Sequence, residues 1–86
     1  MKFRLSNHAR EEMERRGIPL ALVESVLDSP QQVVIEKSGK EGYQSQIDFG
    51  DGRIFLLRVI VAYDVDPTVV ITVYRTSKIE KYWRQA

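Results

Sequence analysis

The sequence predicts a single α+β domain over residues 1–86. Two N-terminal helices lie on a four-stranded antiparallel meander, and a short C-terminal helix closes the chain. Three observations carry this. Apolar residues recur at helical spacing before Ser29-Pro30 and again only at the closing Ile79, Tyr82 and Trp83. From Gln32 onward the apolar residues are mostly β-branched and fall in runs of strand length. Clusters rich in Gly, Asp and Pro separate those runs, at 38–42, 50–52 and 64–67.

Phe3 and Leu5 alternate with charged neighbours, which suits a short extended lead-in. Ser6 is a good N-cap for a helix from Asn7 to Arg16, with Glu11 and Glu12 near its positive end. Its apolar face is thin, formed by Ala9 and Met13 at i, i+4. Gly17 is the expected left-handed residue after the helix. Ile18 then falls over Met13, the contact of a Schellman stop. Pro19 suits the first turn of a second helix, about Pro19 to Asp28, with Leu20, Val23 and Leu27 on one face and Val26 beside them. Ser29-Pro30 ends it.

Four strands follow: Gln32 to Lys37, Tyr43 to Phe49, Ile54 to Tyr63 and Thr68 to Thr76. The second alternates cleanly, with Tyr43, Ser45, Ile47 and Phe49 on one face and Gln44, Gln46 and Asp48 on the other. The third is apolar on both faces except for Arg58, as a central strand should be. In the fourth, period two puts Val69, Ile71, Val73 and then Arg75 on the inward face. Val70, Thr72 and Tyr74 fall on the other. Ser77-Lys78-Ile79-Glu80 matches a capping box, so Ser77 should open the final helix. Ile79, Tyr82 and Trp83 then share one side, and Lys78, Lys81 and Arg84 another. With two helices on one sheet face, the opposite face is expected to be partly open.

Composition narrows the function classes. There are no cysteines, so neither disulfides nor thiolate metal sites are available. One histidine makes no zinc site without a converging set of carboxylates, so no metal and no cofactor is expected. No apolar run reaches the roughly 18–20 residues needed to span a bilayer, and the N-terminal residues lack a signal-peptide core. A cytoplasmic protein without membrane contact is therefore expected. The net charge is +1, but it is unevenly spread. Lys2, Arg4, Arg10, Arg15 and Arg16 outnumber the acids of the first helix. Arg75, Lys78, Lys81 and Arg84 face only Glu80 at the end. If the two chain ends meet in space, they form a local positive patch.

Two segments carry a resemblance. Ser6-Asn7-His8-Ala9-Arg10-Glu11-Glu12-Met13-Glu14-Arg15-Arg16-Gly17-Ile18 and Val70-Ile71-Thr72-Val73-Tyr74-Arg75 resemble the opening and close of a family of small bacterial domains of unknown function. Arg75-Thr76-Ser77-Lys78-Ile79-Glu80-Lys81 is similar to the strand-to-helix ending of BrnT-type toxins. Those toxins resemble RelE-like ribonucleases. The resemblance implies a RelE-like fold and a metal-independent ribonuclease of a toxin–antitoxin pair, with RNA as substrate and a cognate antitoxin as partner.

Metal-free RNA cleavage needs a base for the 2′-hydroxyl proton, an acid for the leaving oxygen and cations for the phosphorane charge. The candidates are His8, Arg58, Tyr74 and Arg75, with Lys78 and Lys81 as phosphate contacts. Arg75 offers a bidentate clamp; its ordinary role would be an ion pair with Asp28 or Asp48. Tyr74 suits stacking or proton transfer, or simple cross-strand packing. Lys78 opposes the helix dipole, a weak pointer to a role, and a solvated surface lysine is the simpler reading. His8 is the only imidazole and sits in a first helical turn, where a plain hydrogen bond would also account for it.

Arg58 depends on register. A two-residue loop, Asp51-Gly52, puts it opposite Ser45. A three-residue loop, Gly50 to Gly52, puts it opposite Gln44, with Gln46, Thr72 and Tyr74 in one polar surface. The alternative function is a non-catalytic protein-binding module that uses the open sheet face or the C-terminal helix, with Ile79, Tyr82 and Trp83 as anchors.

Overall fold

Ser6 begins the ordered helical layer in the computed structural model, which describes residues 1–85. Its hydroxyl accepts from the Ala9 N–H at 3.0 Å, capping α1 (Asn7–Arg16). At the other end Gly17 is left-handed at φ 65°. Ile18 N–H reaches the Met13 carbonyl at 2.8 Å, and Gly17 N–H reaches that of Glu14 at 3.3 Å. Both bonds of the expected Schellman stop are present. Pro19 is the N-cap residue of α2 (Leu20–Asp28) rather than its first helical residue. Val23, Val26 and Leu27 are buried, whereas Leu20 is exposed at the helix start.

The strands are β1 (Phe3–Leu5), β2 (Gln32–Glu36), β3 (Lys40–Asp48), β4 (Ile54–Ala62) and β5 (Thr68–Thr76). They form one sheet in the order β1-β5-β4-β3-β2. The four-stranded meander is present, but the lead-in is a fifth strand. It runs parallel to β5, so the sheet is mixed rather than purely antiparallel. The turn before β3 is shorter than 38–42, because Lys40, Glu41 and Gly42 already pair with β2.

The helices cover one face. α1 packs on β5 and β1, and α2 on β3 and β4. The core holds Ala9, Met13, Ile18, Val23, Val26 and Leu27 from the helical layer, against Leu57, Val59, Val61, Val70 and Val73 of the sheet. Val70 and Val73 both face the helices although three residues apart. The reason is a bulge: Ile60 pairs with Thr72 but Val61 pairs with Val70, so Ile71 is the extra residue. This overturns the simple alternation expected for β5. Val69 and Ile71 are not the inward set. Ser6 holds the bulge, its N–H donating to the Val70 carbonyl at 3.0 Å and its hydroxyl to that of Ile71 at 2.8 Å.

The last helix departs from expectation. α3 (Ile79–Tyr82) is a single turn, entered through Lys78 without a side-chain cap. Lys78 rather than Ser77 is the N-cap residue, so the Ser77–Glu80 capping box is not formed, and Thr76 Oγ1 takes the Lys78 N–H at 3.0 Å. That bond is a local side-chain-to-backbone turn at the strand end.

Candidate functional site: a buried arginine cluster under the C-terminal turn

Phe49 N–H donates to the Arg53 carbonyl at 3.0 Å, closing a three-residue loop, Gly50 to Gly52. That register puts Arg58 opposite Gln44 on one side and Tyr74 on the other. All three side chains leave the sheet on the face away from α1 and α2. Of the two registers open to the sequence, the three-residue loop is therefore adopted.

The expected open polar surface, however, is not a surface. Arg58 is 3% exposed and Gln44 is fully buried. Arg58 Nε donates to Gln44 Oε1 at 2.7 Å, Nη1 to the Tyr74 hydroxyl at 2.7 Å, and Nη2 to Glu36 Oε2 at 3.0 Å. Each guanidinium nitrogen thus has its own acceptor, and a buried charge needs that. The residues from Ser77 to Arg84 cross the face and close it. The Tyr82 ring centroid lies 4.6 Å from Arg58 Cζ, a cation–π distance, and 6.1 Å from the Tyr74 ring. Gln44 Nε2 donates to the Tyr82 carbonyl at 3.1 Å and to Gln32 Oε1 at 2.8 Å. Gln32 in turn grips the Arg84 backbone, accepting from its N–H and donating to its carbonyl.

Gly42 makes room for this cluster. A Cβ there would stand 2.7 Å from Arg58 Nη2. Electrostatics follow from burial and pairing together. Burial opposes the Arg58 charge, but the bonds to Tyr74 and Glu36 outweigh it and hold the guanidinium above its ordinary value. Burial lifts the Tyr74 phenol above its ordinary value, and the bond from Arg58 pulls the other way without reversing it.

The remaining candidates lie elsewhere. Arg75 pairs with Leu57 and so leaves the sheet on the helix-bearing face. There its Cζ stacks 4.5 Å from the Phe49 ring centroid and 4.9 Å from that of Phe55, with neither Asp28 nor Asp48 as ion partner. His8 is an exposed residue of α1, on that same helical side. Arg58 and Tyr74 are thus brought together, while His8 and Arg75 are not part of their cluster. Lys78 and Lys81 are exposed on the closing segment, Lys81 Nζ being 5.4 Å from the Tyr82 ring centroid.

The chain ends do not meet to form one basic patch. β1 is one edge of the sheet, and Arg84 is bonded to β2 at the other. Sequence reasoning missed Glu36, Gln32 and Gly42. Only the Gln44–Arg58 pairing pointed toward them, because whatever neighbours Gln44 on the next strand neighbours the cluster.

Among the described residues, no helix is long and apolar enough to cross a membrane. No curated protein and no solved structure matches the chain. Residues 5–75 match the family model for a domain of unknown function, DUF4258, a span that starts at the last residue of β1 and takes in both long helices and the meander through Arg75. The chain belongs to the DUF4258 family.

Proposed function

We propose that this domain is a metal-independent ribonuclease of RelE-like type, the toxin of a toxin–antitoxin pair, with its site closed over by the segment from Ser77 to Arg84. One observation carries the reading. A carboxylate, a phenol and a guanidinium, the three chemical types such cleavage needs, sit in one bonded set as Glu36, Tyr74 and Arg58. Glu36 takes the proton of the ribose 2′-hydroxyl, whose oxygen attacks phosphorus. Tyr74 gives its proton to the departing 5′ oxygen. Arg58 stabilises the charge gathered on the phosphoryl oxygens, and Lys78 and Lys81 at the rim contact neighbouring phosphates. His8 and Arg75 take no part in this set. With Arg58 only 3% exposed, substrate enters after Ser77 to Arg84 lifts away.

A second reading has its own observation. All three Arg58 nitrogens are engaged by groups of the same chain, which suits a purely structural clasp. The domain is then a non-catalytic protein-binding module, and the half-buried Ile79 and Trp83 of the closing segment are its contact residues.

RNA cleavage without divalent metal separates the two. Tyr82→Ala loosens the cover and should cleave faster than wild type, leaving 2′,3′-cyclic phosphate ends. Adding Tyr74→Phe should suppress that cleavage by about 10²-fold or more, the usual contribution of a positioned acid. If wild type and Tyr82→Ala neither cleave RNA nor arrest bacterial growth, the nuclease reading fails and the binding module stands.

A further inference from the structure

We propose that the free edge of β2 pairs with the same edge of a second copy of this chain, across a two-fold axis at Val34. The sheet has two open edges, and they differ in kind. At β2 the apolar side chains Val33 and Ile35 stand 48% and 73% exposed, beyond the cover of the helices. An exposed apolar edge strand is a template for another strand.

The direction of the free backbone groups follows from the ladder. The Gln44 carbonyl accepts from Gln31 N–H, so Gln44 turns its peptide groups toward β2. Phe49 N–H reaches across to Arg53, so odd-numbered residues of β3 turn theirs toward β4. The partners of the even-numbered β3 residues, Gln32, Val34 and Glu36, therefore bond β3. Val33 and Ile35 point their N–H and C=O groups outward.

The strand Gln32-Val33-Val34-Ile35-Glu36 is self-complementary about its centre. An antiparallel copy sets Val33 against the partner's Ile35 as a hydrogen-bonded pair, and Ile35 against the partner's Val33. Both pairs are apolar and β-branched, a favourable cross-strand combination. Val34 meets the partner's Val34, and Gln32 meets the partner's Glu36. No like charges are opposed. The edge of β1 lacks this property: the same operation about its centre would set Arg4 against Arg4, which is repulsive. Its three residues are also too few for a stable ladder. The two-fold at β2 closes on itself and produces a dimer with one continuous ten-stranded sheet.

Sedimentation equilibrium of the full chain tests this. The expected mass is twice 10.0 kDa, falling toward the monomer on dilution. Ile35→Lys changes an exposed side chain, so its melting as a monomer should match the dilute wild type. It should stay monomeric over the range in which wild type pairs. The register has its own readout, because the chain has no cysteine of its own. The two Val34 Cα atoms form a non-hydrogen-bonded pair about 4.5 Å apart, within disulfide reach. Val34→Cys should give a covalent dimer on mild oxidation. A wild type that stays monomeric at every concentration overturns the proposal, as does an Ile35→Lys dimer of undiminished affinity. A Val34→Cys dimer that fails to cross-link overturns the two-fold at Val34.

Discussion

Arg58 and Tyr74 stand directly opposite each other on β4 and β5, and Arg58 Nη1 donates to the Tyr74 hydroxyl at 2.7 Å. The two strands are thus joined through their side chains as well as their backbones, at the centre of the face that α3 closes. Removing either partner has unequal effects. Arg58→Ala strands the buried Gln44 carbonyl oxygen and leaves a cavity under Tyr82. It should cost about 3 kcal/mol, the scale of breaking a buried pair from one side. Tyr74→Phe removes one hydrogen bond and should cost about 1 kcal/mol. Urea unfolding followed by the single tryptophan measures both.

Gly42 should tolerate no side chain without disturbing the cluster. In Gly42→Ala the new Cβ falls 2.7 Å from Arg58 Nη2, which must leave Glu36. The expected loss is about 1–3 kcal/mol, typical of an overfilled site. Glu36→Gln weakens the same contact, so the double variant should lose less than the sum of the two single losses.

Tyr74 sets an alkaline limit on stability. Its phenol titrates higher in the folded chain than its ordinary value of 10.0. A group with a raised folded value stabilises fully below its unfolded value, and that contribution is lost as pH climbs through the folded one. Stability should therefore hold to about pH 10 and fall above it. Tyr43, raised by burial first and then by the Glu41 charge, titrates in the same direction. Tyr74→Phe should accordingly flatten the alkaline fall without abolishing it, as urea midpoints across that range would report.

Ser6 performs two tasks, capping α1 and binding the Ile71 carbonyl at the bulge. Ser6→Ala loses both, so the cost should approach 2 kcal/mol, the upper part of the range for a lost cap. Hydrogen exchange should show the losses together, in the first turn of α1 and in β1.

Much of the fold was legible because local chemistry and the global pattern agreed. Ser6, Met13, Gly17 and Ile18 specify both ends of α1 with no help from distant residues. The alternation of Tyr43, Ser45, Ile47 and Phe49 against Gln44, Gln46 and Asp48 fixes the phase of β3. The bulge in β5 was hidden for the opposite reason. From Val69 to Val73 every side chain is β-branched, and Thr72, the one polar residue, keeps the same face with or without the bulge, so nothing marks where the phase changes. β1 was faint because three residues carry little pattern and its partner lies more than 60 positions away. The site was only half legible. Arg58 announced that it needed partners, and the loop length chose Gln44. Glu36 came from a different hairpin, and the covering Tyr82 from a segment whose capping motif pointed to a longer, freer helix. The helix starts one residue later than the motif placed it, with Lys78 rather than Ser77 as the N-cap residue.

The parallel pairing of β1 with β5 bears on how the chain is made. β1 is the first strand of the domain to be made, yet its only neighbour in the sheet is the domain's last strand. Until the segment from Thr68 to Ile71 has cleared the exit tunnel, β1 has nothing to pair with, and the Ser6 hydroxyl has no Ile71 carbonyl to hold. Loop closure over nearly the whole chain must come before the sheet is complete. The domain therefore completes its sheet only once β5 has been made. A nascent chain arrested before β5 leaves the apolar face of α1, which packs on β5, uncovered.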